Sequence, residues 1–150
     1  MQVSAVLNYS GIDFLLSIHM VRNSEIIKKI EERNDLARKA EQEGVLDEAI
    51  RLYEQNILEN YIDEFSFDRL MSIYRKQNEL KEELRVIMRG IGVFEAQLEE
   101  HLKQSFTKVD EHIVNSMEDV KGYLLTYFPD PVKKWMTRKE IVEQKLQETF

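Results

Sequence analysis

Hydrophobic positions recur every three or four residues through most of the chain, which is the spacing of an amphipathic helix. The first such run begins where charge rises abruptly at residues 23–25 and ends near Gly44, a residue suited to closing a helix. A second run follows directly and carries acidic residues in its first turn, where the helix dipole favours them. A third covers residues 66–77, and a fourth follows Asn78 and continues through Ile91. The pattern predicts two helical hairpins.

Beyond Ile91 the apolar positions continue at the same spacing as far as Phe128, next to a proline that ends the run. Two interpretations stay open. The segment is either one very long helix or two helices that break near Thr107, where Thr107 and Asp110 would form a capping box; we favour the break. The stripe is also compatible with a coiled-coil seam, so it either packs on the hairpins, which we favour, or joins two copies of the chain.

The two ends of the chain carry further apolar residues. Residues 3–21 are the most apolar stretch, but polar residues interrupt them, so a bilayer span is a poor interpretation. A signal peptide is also a poor interpretation, because a basic first region and a small-residue cleavage site are missing. We expect a buried segment there, strand or helix over residues 3–7 and helix after Ser10. At the other end Thr137 and Glu140 predict the cap of a last helix. That terminal segment either docks back on the hairpins or reaches a partner, and its apolar side consists of Trp135, Met136, Ile141, Val142 and Leu146.

The two hairpins repeat with a period of 34 residues. Shifting the sequence by 34 places the turn residue Gly44 on Asn78. A fixed period of this length is typical of repeat architectures, in which each unit buries its face against a neighbour. The same shift aligns Leu36 with Leu70, Ala37 with Met71, Ala40 with Tyr74, Ala49 with Glu83, Tyr53 with Ile87, and Ile57 with Ile91.

On these residues the chain resembles the tetratricopeptide repeat family, in a degenerate form also similar to many bacterial and prophage proteins. The resemblance covers about residues 25–94 and departs from the pattern in three places. Glu83 stands where a small residue is expected, Tyr61 where a proline is expected, and Arg33 where an aromatic is expected. The family positions are Leu36, Ala37, Ala40, Gly44, Ala49, Tyr53 and Ile57 in the first unit and Phe67, Leu70, Tyr74, Ile87 and Gly90 in the second.

Two units are fewer than a solenoid usually needs, so both ends require a cover. We predict an all-α fold of two tetratricopeptide-like hairpins flanked by an N-terminal apolar segment and long C-terminal helices. The chain is then a single helical domain of residues 1–150. It divides into a cap at 1–22, the repeats at 23–94 and a C-terminal helical extension at 95–150.

The resemblance also implies where a partner binds, because the first helix of each tetratricopeptide unit lines a concave groove. Among the residues at those positions, Arg38, Arg75 and Lys76 form a small cationic set suited to a carboxylate or an acidic peptide. The alternative is that these are ordinary solvated charges of amphipathic helices. The predicted partner-binding residues are Asn34, Arg38, Asp68, Ser72, Arg75 and Lys76, with Glu41 and Gln42 beside them.

Composition narrows the function classes. The chain has 150 residues, 5 Gly, 2 Pro and no Cys, which fits one mostly helical domain without disulfides and is compatible with the cytoplasm. The formal charge of -7 opposes nucleic-acid or anionic-membrane binding, both of which normally need a basic excess. We therefore expect no nucleic acid and no membrane among its partners.

Candidate catalytic groups are sparse. His19, His101 and His112 lack the spacing that would place two imidazoles on one helix face for a metal. The adjacent carboxylates at 99–100 and 118–119 point about 100° apart on a helix and are poorly placed for a catalytic dyad. There is no Gly-x-x-x-x-Gly-Lys loop and no Gly-x-Ser-x-Gly elbow. We predict that the protein is not an enzyme and holds no cofactor or metal.

Gly90 and Gly92 interrupt an otherwise apolar helical run. Each costs about 1 kcal/mol relative to alanine inside a helix, so each needs a reason. Tight packing at a position where the family uses small residues is the interpretation we favour over a hinge.

The sequence thus predicts a protein–protein interaction module that binds a protein or peptide through a helix-lined groove, as an adaptor or an inhibitor. The alternative is a self-associating structural or regulatory protein that forms a homodimer through its C-terminal helices.

Overall fold

The computed structural model describes residues 24–105 and 131–149, including their side chains except those of residues 101–105. This part of the chain is built of helices and contains no strand, so the predicted all-α class is confirmed. The predictions for residues 1–22 and for a break near Thr107 lie outside the described residues. The five helices are α1 (Ser24–Gln42), α2 (Leu46–Ile57), α3 (Glu64–Lys76), α4 (Leu80–Ser105) and α5 (Val132–Glu148).

The helices pack in the order of the chain, α1 on α2, α2 on α3, α3 on α4 and α4 on α5. The first four form two successive hairpins, as predicted. Side-chain hydrogen bonds also join α1 to α3 and α2 to α4, so the odd and even helices lie in two adjacent rows. The core fills the space between these rows, where alanines meet large aromatic and aliphatic side chains.

The period of 34 is visible in the backbone of the two hairpin turns. Gly44 and Asn78 have positive φ angles of 76° and 59°. Glycine and asparagine adopt this left-handed conformation more readily than other residues, which explains both choices. The amide of Val45 donates to the carbonyl of Ala40 at 2.8 Å, and the amide of residue 79 donates to the carbonyl of residue 74 at the same distance. The two turns therefore have equivalent geometry.

The exposure of Leu36 and the boundary at residue 94 differ from the prediction. Leu36 aligns with the fully buried Leu70, yet its side chain is 57% exposed on the outer edge of α1. Helix α4 runs unbroken for 26 residues, so the predicted boundary at residue 94 falls inside a helix. The repeats and the extension are joined there by continuous backbone hydrogen bonding rather than by a linker.

The two helix-interior glycines of α4 have different surroundings. A Cβ atom on Gly90 would lie 2.9 Å from Cζ3 of Trp135 and 3.1 Å from Cδ1 of Phe67, so close packing explains this glycine. A Cβ atom on Gly92 would have no neighbour within 4 Å, and the residue is exposed. The prediction of tight packing is confirmed for Gly90 and wrong for Gly92, because Gly92 faces solvent on the opposite side of α4.

This contrast predicts stability changes of opposite sign for one substitution. Gly92→Ala should raise the free energy of unfolding by about 1 kcal/mol through helix propensity. Gly90→Ala should lower it by up to about 2 kcal/mol net, since overpacking against Trp135 outweighs the same propensity gain. Urea denaturation of both variants checks the two signs, and a stabilising Gly90→Ala would contradict the packing seen here.

Helix α5 begins earlier than predicted. It starts at Val132, directly after Pro131, whose carbonyl accepts a hydrogen bond from the Trp135 amide at 3.1 Å. The Thr137 hydroxyl lies in the helix interior and donates to the carbonyl of Lys133 at 3.0 Å. The predicted cap formed by Thr137 and Glu140 is therefore wrong.

Of the two interpretations of the terminal segment, docking on the hairpins is confirmed. Trp135 of α5 is 1% exposed, and its ring centroid lies 5.3 Å from that of Phe67. Val132 and Val142 are buried on the same side of α5. The predicted apolar residue Ile141, in contrast, is exposed. Helix α5 covers the trailing side of the second hairpin, where a further repeat would otherwise stack.

Candidate functional site

The predicted groove corresponds to a surface where α1 and α3 lie side by side and run in the same direction. We call it the α1–α3 surface. Near its start the guanidinium carbon of Arg38 lies 4.1 Å from the ring centroid of Phe65, a cation–π arrangement. Phe65 also meets Tyr53 edge-on, with centroids 5.9 Å apart. The surface comprises Arg38, Glu41, Phe65, Arg69, Ser72 and Lys76.

Glu41 joins the two helices at the centre of this surface. Its carboxylate accepts a hydrogen bond from the Tyr53 hydroxyl at 2.7 Å and two from the Arg69 guanidinium. Burial raises the pKa of Glu41, but the hydrogen bonds from Arg69 and Tyr53 outweigh it and hold the pKa below its usual range. Burial and the Glu41 carboxylate raise the pKa of Tyr53. The charge of Arg69 is therefore neutralised within the protein.

Four residues of α3 form one stripe of this surface, in which Lys76 is exposed and the other three are half-buried. Phe65, Arg69, Ser72 and Lys76 follow each other at steps of four, three and four, so they share one helix face about 16 Å long. Lys76 is exposed and forms no ion pair with any side chain that the structure describes. It is the cation of the surface most available to a ligand.

Asn34, one of the predicted partner-binding residues, lies in the interior and not on the α1–α3 surface. It is buried, and its amide donates to the Asp63 carboxylate at 3.0 Å and accepts from Asn56 at 2.9 Å. The Asn56 amide also donates to the Ser66 hydroxyl at 3.0 Å and to the Ile30 carbonyl at 3.3 Å. This network joins α1, α2 and α3 and satisfies polar groups that would be costly to bury alone.

Asp68 and Arg75 also differ from the prediction, because Asp68 contacts α5 and Arg75 contacts Glu83 of α4. The Asp68 carboxylate accepts hydrogen bonds from Trp135 Nε1 at 2.8 Å and from Lys134 Nζ at 2.6 Å. Arg75 Nε donates to the Glu83 carboxylate at 2.9 Å. Of the six predicted residues, the structure therefore brings together only Arg38, Ser72 and Lys76 on one surface.

Glu83 is the residue that the sequence flagged only as a mismatch with the repeat pattern. Its side chain is completely buried and accepts hydrogen bonds from Arg75 of α3 and from Arg138 of α5, at 2.6 and 3.0 Å for the latter. Burial raises the pKa of Glu83, but these hydrogen bonds outweigh it and the pKa lies below its usual range. The carboxylate stays charged and links three helices.

A second surface feature lies on the other row of helices. A depression of about 340 Å³ opens between α4 and the corner after α2. Arg89 donates to the Asn60 side chain at 2.7 Å, and Gln97 donates to the Asn60 carbonyl at 3.0 Å, so these polar groups form its wall. Its full lining is Asn60, Met88, Arg89, Gly92, Val93, Ala96 and Gln97.

Comparison with known proteins finds no matching family profile, no matching curated protein and no matching solved structure. Within residues 24–105 and 131–149, no helix is both long and apolar enough to cross a bilayer. The same residues contain no group of three or more His, Asp or Glu side chains placed to hold a metal ion.

Proposed function

We propose that this protein is a non-catalytic, cytoplasmic binding module of tetratricopeptide-like type, and that its α1–α3 surface binds an acidic segment of another protein. The two equivalent turns 34 residues apart and the hairpin architecture support the likeness to that repeat family. The observation that carries the proposal is a pair of exposed cations on one surface of an acidic protein, Arg38 beside Phe65 and Lys76 at the other end of the α3 stripe.

Neither Arg38 nor Lys76 forms a buried ion pair with a residue that the structure describes. Arg38 pairs with Asp35 at 3.0 Å, but both side chains are more than half exposed, and such pairs contribute about 0.5 kcal/mol or less. A carboxylate of a bound segment could therefore replace Asp35 at little cost. Phe65, beside Arg38, offers an apolar contact for an aliphatic or aromatic side chain of the same segment.

Arg75 is left out of this surface because it neutralises the buried Glu83. Reversing its charge would disturb the fold as well as any groove. Arg69 is left out as a ligand contact for a similar reason, since it is bound to Glu41. The test therefore rests on Arg38 and Lys76, whose replacement leaves the buried hydrogen bonds intact.

The double variant Arg38→Glu and Lys76→Glu is expected to lose binding to acidic peptides. Peptides would first be selected on the wild-type protein from a random displayed library, and we expect enrichment of Asp and Glu. Fluorescence anisotropy with a selected peptide should then show a Kd raised at least about tenfold, because two charge-assisted contacts together exceed about 1.4 kcal/mol. Added salt should weaken wild-type binding in the same direction.

A matched control applies the same change of charge away from the surface. Lys28 and Lys145 are exposed on α1 and α5 and do not belong to the α1–α3 surface, so Lys28→Glu with Lys145→Glu should leave the Kd within about twofold. Selected peptides without acidic enrichment, or equal losses in both double variants, would contradict the proposed site.

Self-association through the C-terminal helices is the alternative function. The stripe predicted to form the dimer seam, residues 94–128, lies mostly outside the described residues, and in α5 the apolar residues Trp135 and Val142 are buried within the chain itself.

A further inference from the structure

Helix α5 binds the second hairpin through a slot that fits a tryptophan. The slot is the space above Gly90, where a Cβ atom would lie 2.9 Å from Cζ3 of Trp135, and Phe67 forms its wall. Asp68 lies beside the slot and accepts a hydrogen bond from Trp135 Nε1 at 2.8 Å. An indole satisfies both contacts at once, because it has a large apolar face and one N–H donor. The slot therefore favours tryptophan over an aliphatic or phenyl side chain.

Acidic residues of α3 and α4 bind the basic side chains that flank this tryptophan. Lys134 Nζ donates to the Asp68 carboxylate at 2.6 Å and to the Glu64 carboxylate at 3.1 Å. Arg138, about one turn further along α5, donates to the buried Glu83 carboxylate at 2.6 and 3.0 Å. The docked helix thus carries the pattern Lys-Trp-x-x-Arg on one side. We call the residues that receive this pattern the α5 cleft: Glu64, Phe67, Asp68, Glu83 and Gly90.

Glu83 restricts which helices this cleft accepts. In the repeat pattern its position belongs to a small residue, and its counterpart in the first unit, Ala49, is fully buried. A helix without a cation at the position of Arg138 would bury the Glu83 carboxylate without this partner, which is strongly unfavourable. A small apolar residue would accept many helices, whereas the carboxylate selects one with an arginine in register. Glu83 therefore favours recognition of one helix pattern over general packing.

The second hairpin keeps the cleft charge-balanced when α5 leaves it. Arg75 of α3 also donates to Glu83, at 2.9 Å, and its side chain is 47% exposed. Glu83 therefore retains an ion pair that does not depend on α5. The buried residues of α5 are Val132, Trp135 and Val142, so one large side chain supplies most of its apolar contact. A helix held in this way is suited to exchange for another helix of the same pattern, because the buried carboxylate stays paired in both states.

We propose that the α5 cleft is a second protein-binding site, which recognises a helix of another protein that carries the pattern Lys-Trp-x-x-Arg. Helix α5 is the ligand that occupies the site within the chain, and the partner helix displaces it and takes over its contacts with Asp68 and Glu83. Helix α5 competes with every partner, because a partner binds only the fraction of molecules in which the cleft is open. The cleft shares no residue with the α1–α3 surface, so it stands or falls independently of the proposed binding of acidic peptides.

A fluorescent synthetic peptide of residues 131–149 is the probe, and it is added to the full chain. Trp135→Ala in the chain weakens its own α5, so fluorescence anisotropy should give a Kd at least about tenfold lower for this variant than for the wild-type chain. The peptide should also raise the Tm of the Trp135→Ala chain more than that of the wild type, which keeps the test valid if the variant is partly unfolded. A Trp135→Ala chain that shows neither effect would overturn the proposal.

Variant peptides test the pattern itself. Peptides with Trp135→Ala or Arg138→Ala should each bind the Trp135→Ala chain at least about tenfold more weakly than the unmodified peptide. Ile141→Ala is the matched control, because Ile141 is an exposed apolar residue of the same helix, and this peptide should bind within about twofold of the unmodified one. Equal binding by all four peptides, or an equal loss in the three variants, would contradict recognition by the cleft.

Displacement of α5 is tested on the wild-type chain. The Ile141→Ala peptide differs in mass from the chain's own α5, so mass spectrometry can follow hydrogen exchange of α5 separately. Saturating peptide should accelerate exchange of the α5 amides, while those of α1 and α2 change less. A peptide that binds the wild-type chain and leaves α5 protected would overturn displacement.

A combined variant separates this site from the α1–α3 surface. Arg38→Glu and Lys76→Glu, added to the Trp135→Ala chain, should leave the Kd of the peptide of residues 131–149 within about twofold. The same two substitutions are expected to abolish binding of acidic peptides. A comparable loss of both ligands would show that the α5 peptide does not bind at the cleft.

Discussion

Replacing Trp135 with alanine is expected to lower the free energy of unfolding by about 3–5 kcal/mol, the usual cost of removing a large buried aromatic side chain. Trp135 fills the notch above Gly90, packs on Phe67 and donates a hydrogen bond to Asp68. Its loss removes the apolar contact between α5 and the second hairpin and leaves the Asp68 carboxylate with one partner fewer. Urea denaturation monitored by circular dichroism measures the change.

The matched control is Met136→Ala, which truncates the neighbouring, half-buried side chain of the same helix. We expect it to cost about 1 kcal/mol or less. Hydrogen exchange adds a spatial readout. Amides of α5 should exchange faster in Trp135→Ala, while those of α1 and α2 should change less. Equal costs for the two substitutions would show that Trp135 does not anchor α5.

Glu83→Ala is expected to cost about 3 kcal/mol at neutral pH. The substitution leaves the guanidinium of Arg138, whose side chain is only 18% exposed, without its carboxylate and creates a small cavity. The value lies at the lower end of the range for broken buried pairs, because Arg75 is about half exposed and can turn to water. Glu82→Ala, beside it on the surface, should change stability by about 0.5 kcal/mol or less.

The lowered pKa of Glu83 predicts how the free energy of unfolding changes with pH. Its pKa in the folded protein lies below the 4.5 of an unperturbed glutamate, so the charged form favours folding. The stabilisation is complete above about pH 4.5 and is lost as the pH falls through the lowered pKa of the folded state. The difference in stability between wild type and Glu83→Gln should therefore shrink in acid. A difference that stays constant from neutral to acid pH would contradict the ionised, doubly paired carboxylate.

The parts of the fold that could be predicted from sequence are those set by neighbouring residues. Helix periodicity depends on residues three and four apart, and the left-handed turns at Gly44 and Asn78 depend on which residues tolerate a positive φ. Both are local effects, so a single sequence reveals them. The start of α5 was missed because Thr137 and Glu140 fit a capping box equally well, and only the contacts of Val132 and Trp135 decide for the earlier start.

The candidate site was predicted in part, for a related reason. The repeat positions placed Arg38, Ser72 and Lys76 on one surface, but the same logic placed Asn34 and Asp68 there as well. Asn34 is hydrogen-bonded to Asn56, which is 22 residues away in the sequence. Asp68 accepts a hydrogen bond from Trp135, which is 67 residues away. A polar residue within an apolar stripe, such as Asn56 among the buried positions of α2, is the one sequence signal that could have indicated the network.

The sequence by itself determined the helices, the two hairpins and the repeat of 34 residues, because helix propensity, amphipathic spacing and turn residues act over a few positions. Only the tertiary structure decided which polar groups are buried and which are free to bind. In the sequence, Glu83 is a mismatch with the repeat pattern, and Gly90 and Gly92 look equivalent. In the structure, Arg138 of α5 pairs with the buried Glu83, and Trp135 of α5 packs on Gly90 but not on Gly92. Sequence could not show this, because the burial of a side chain depends on what packs against it from distant parts of the chain.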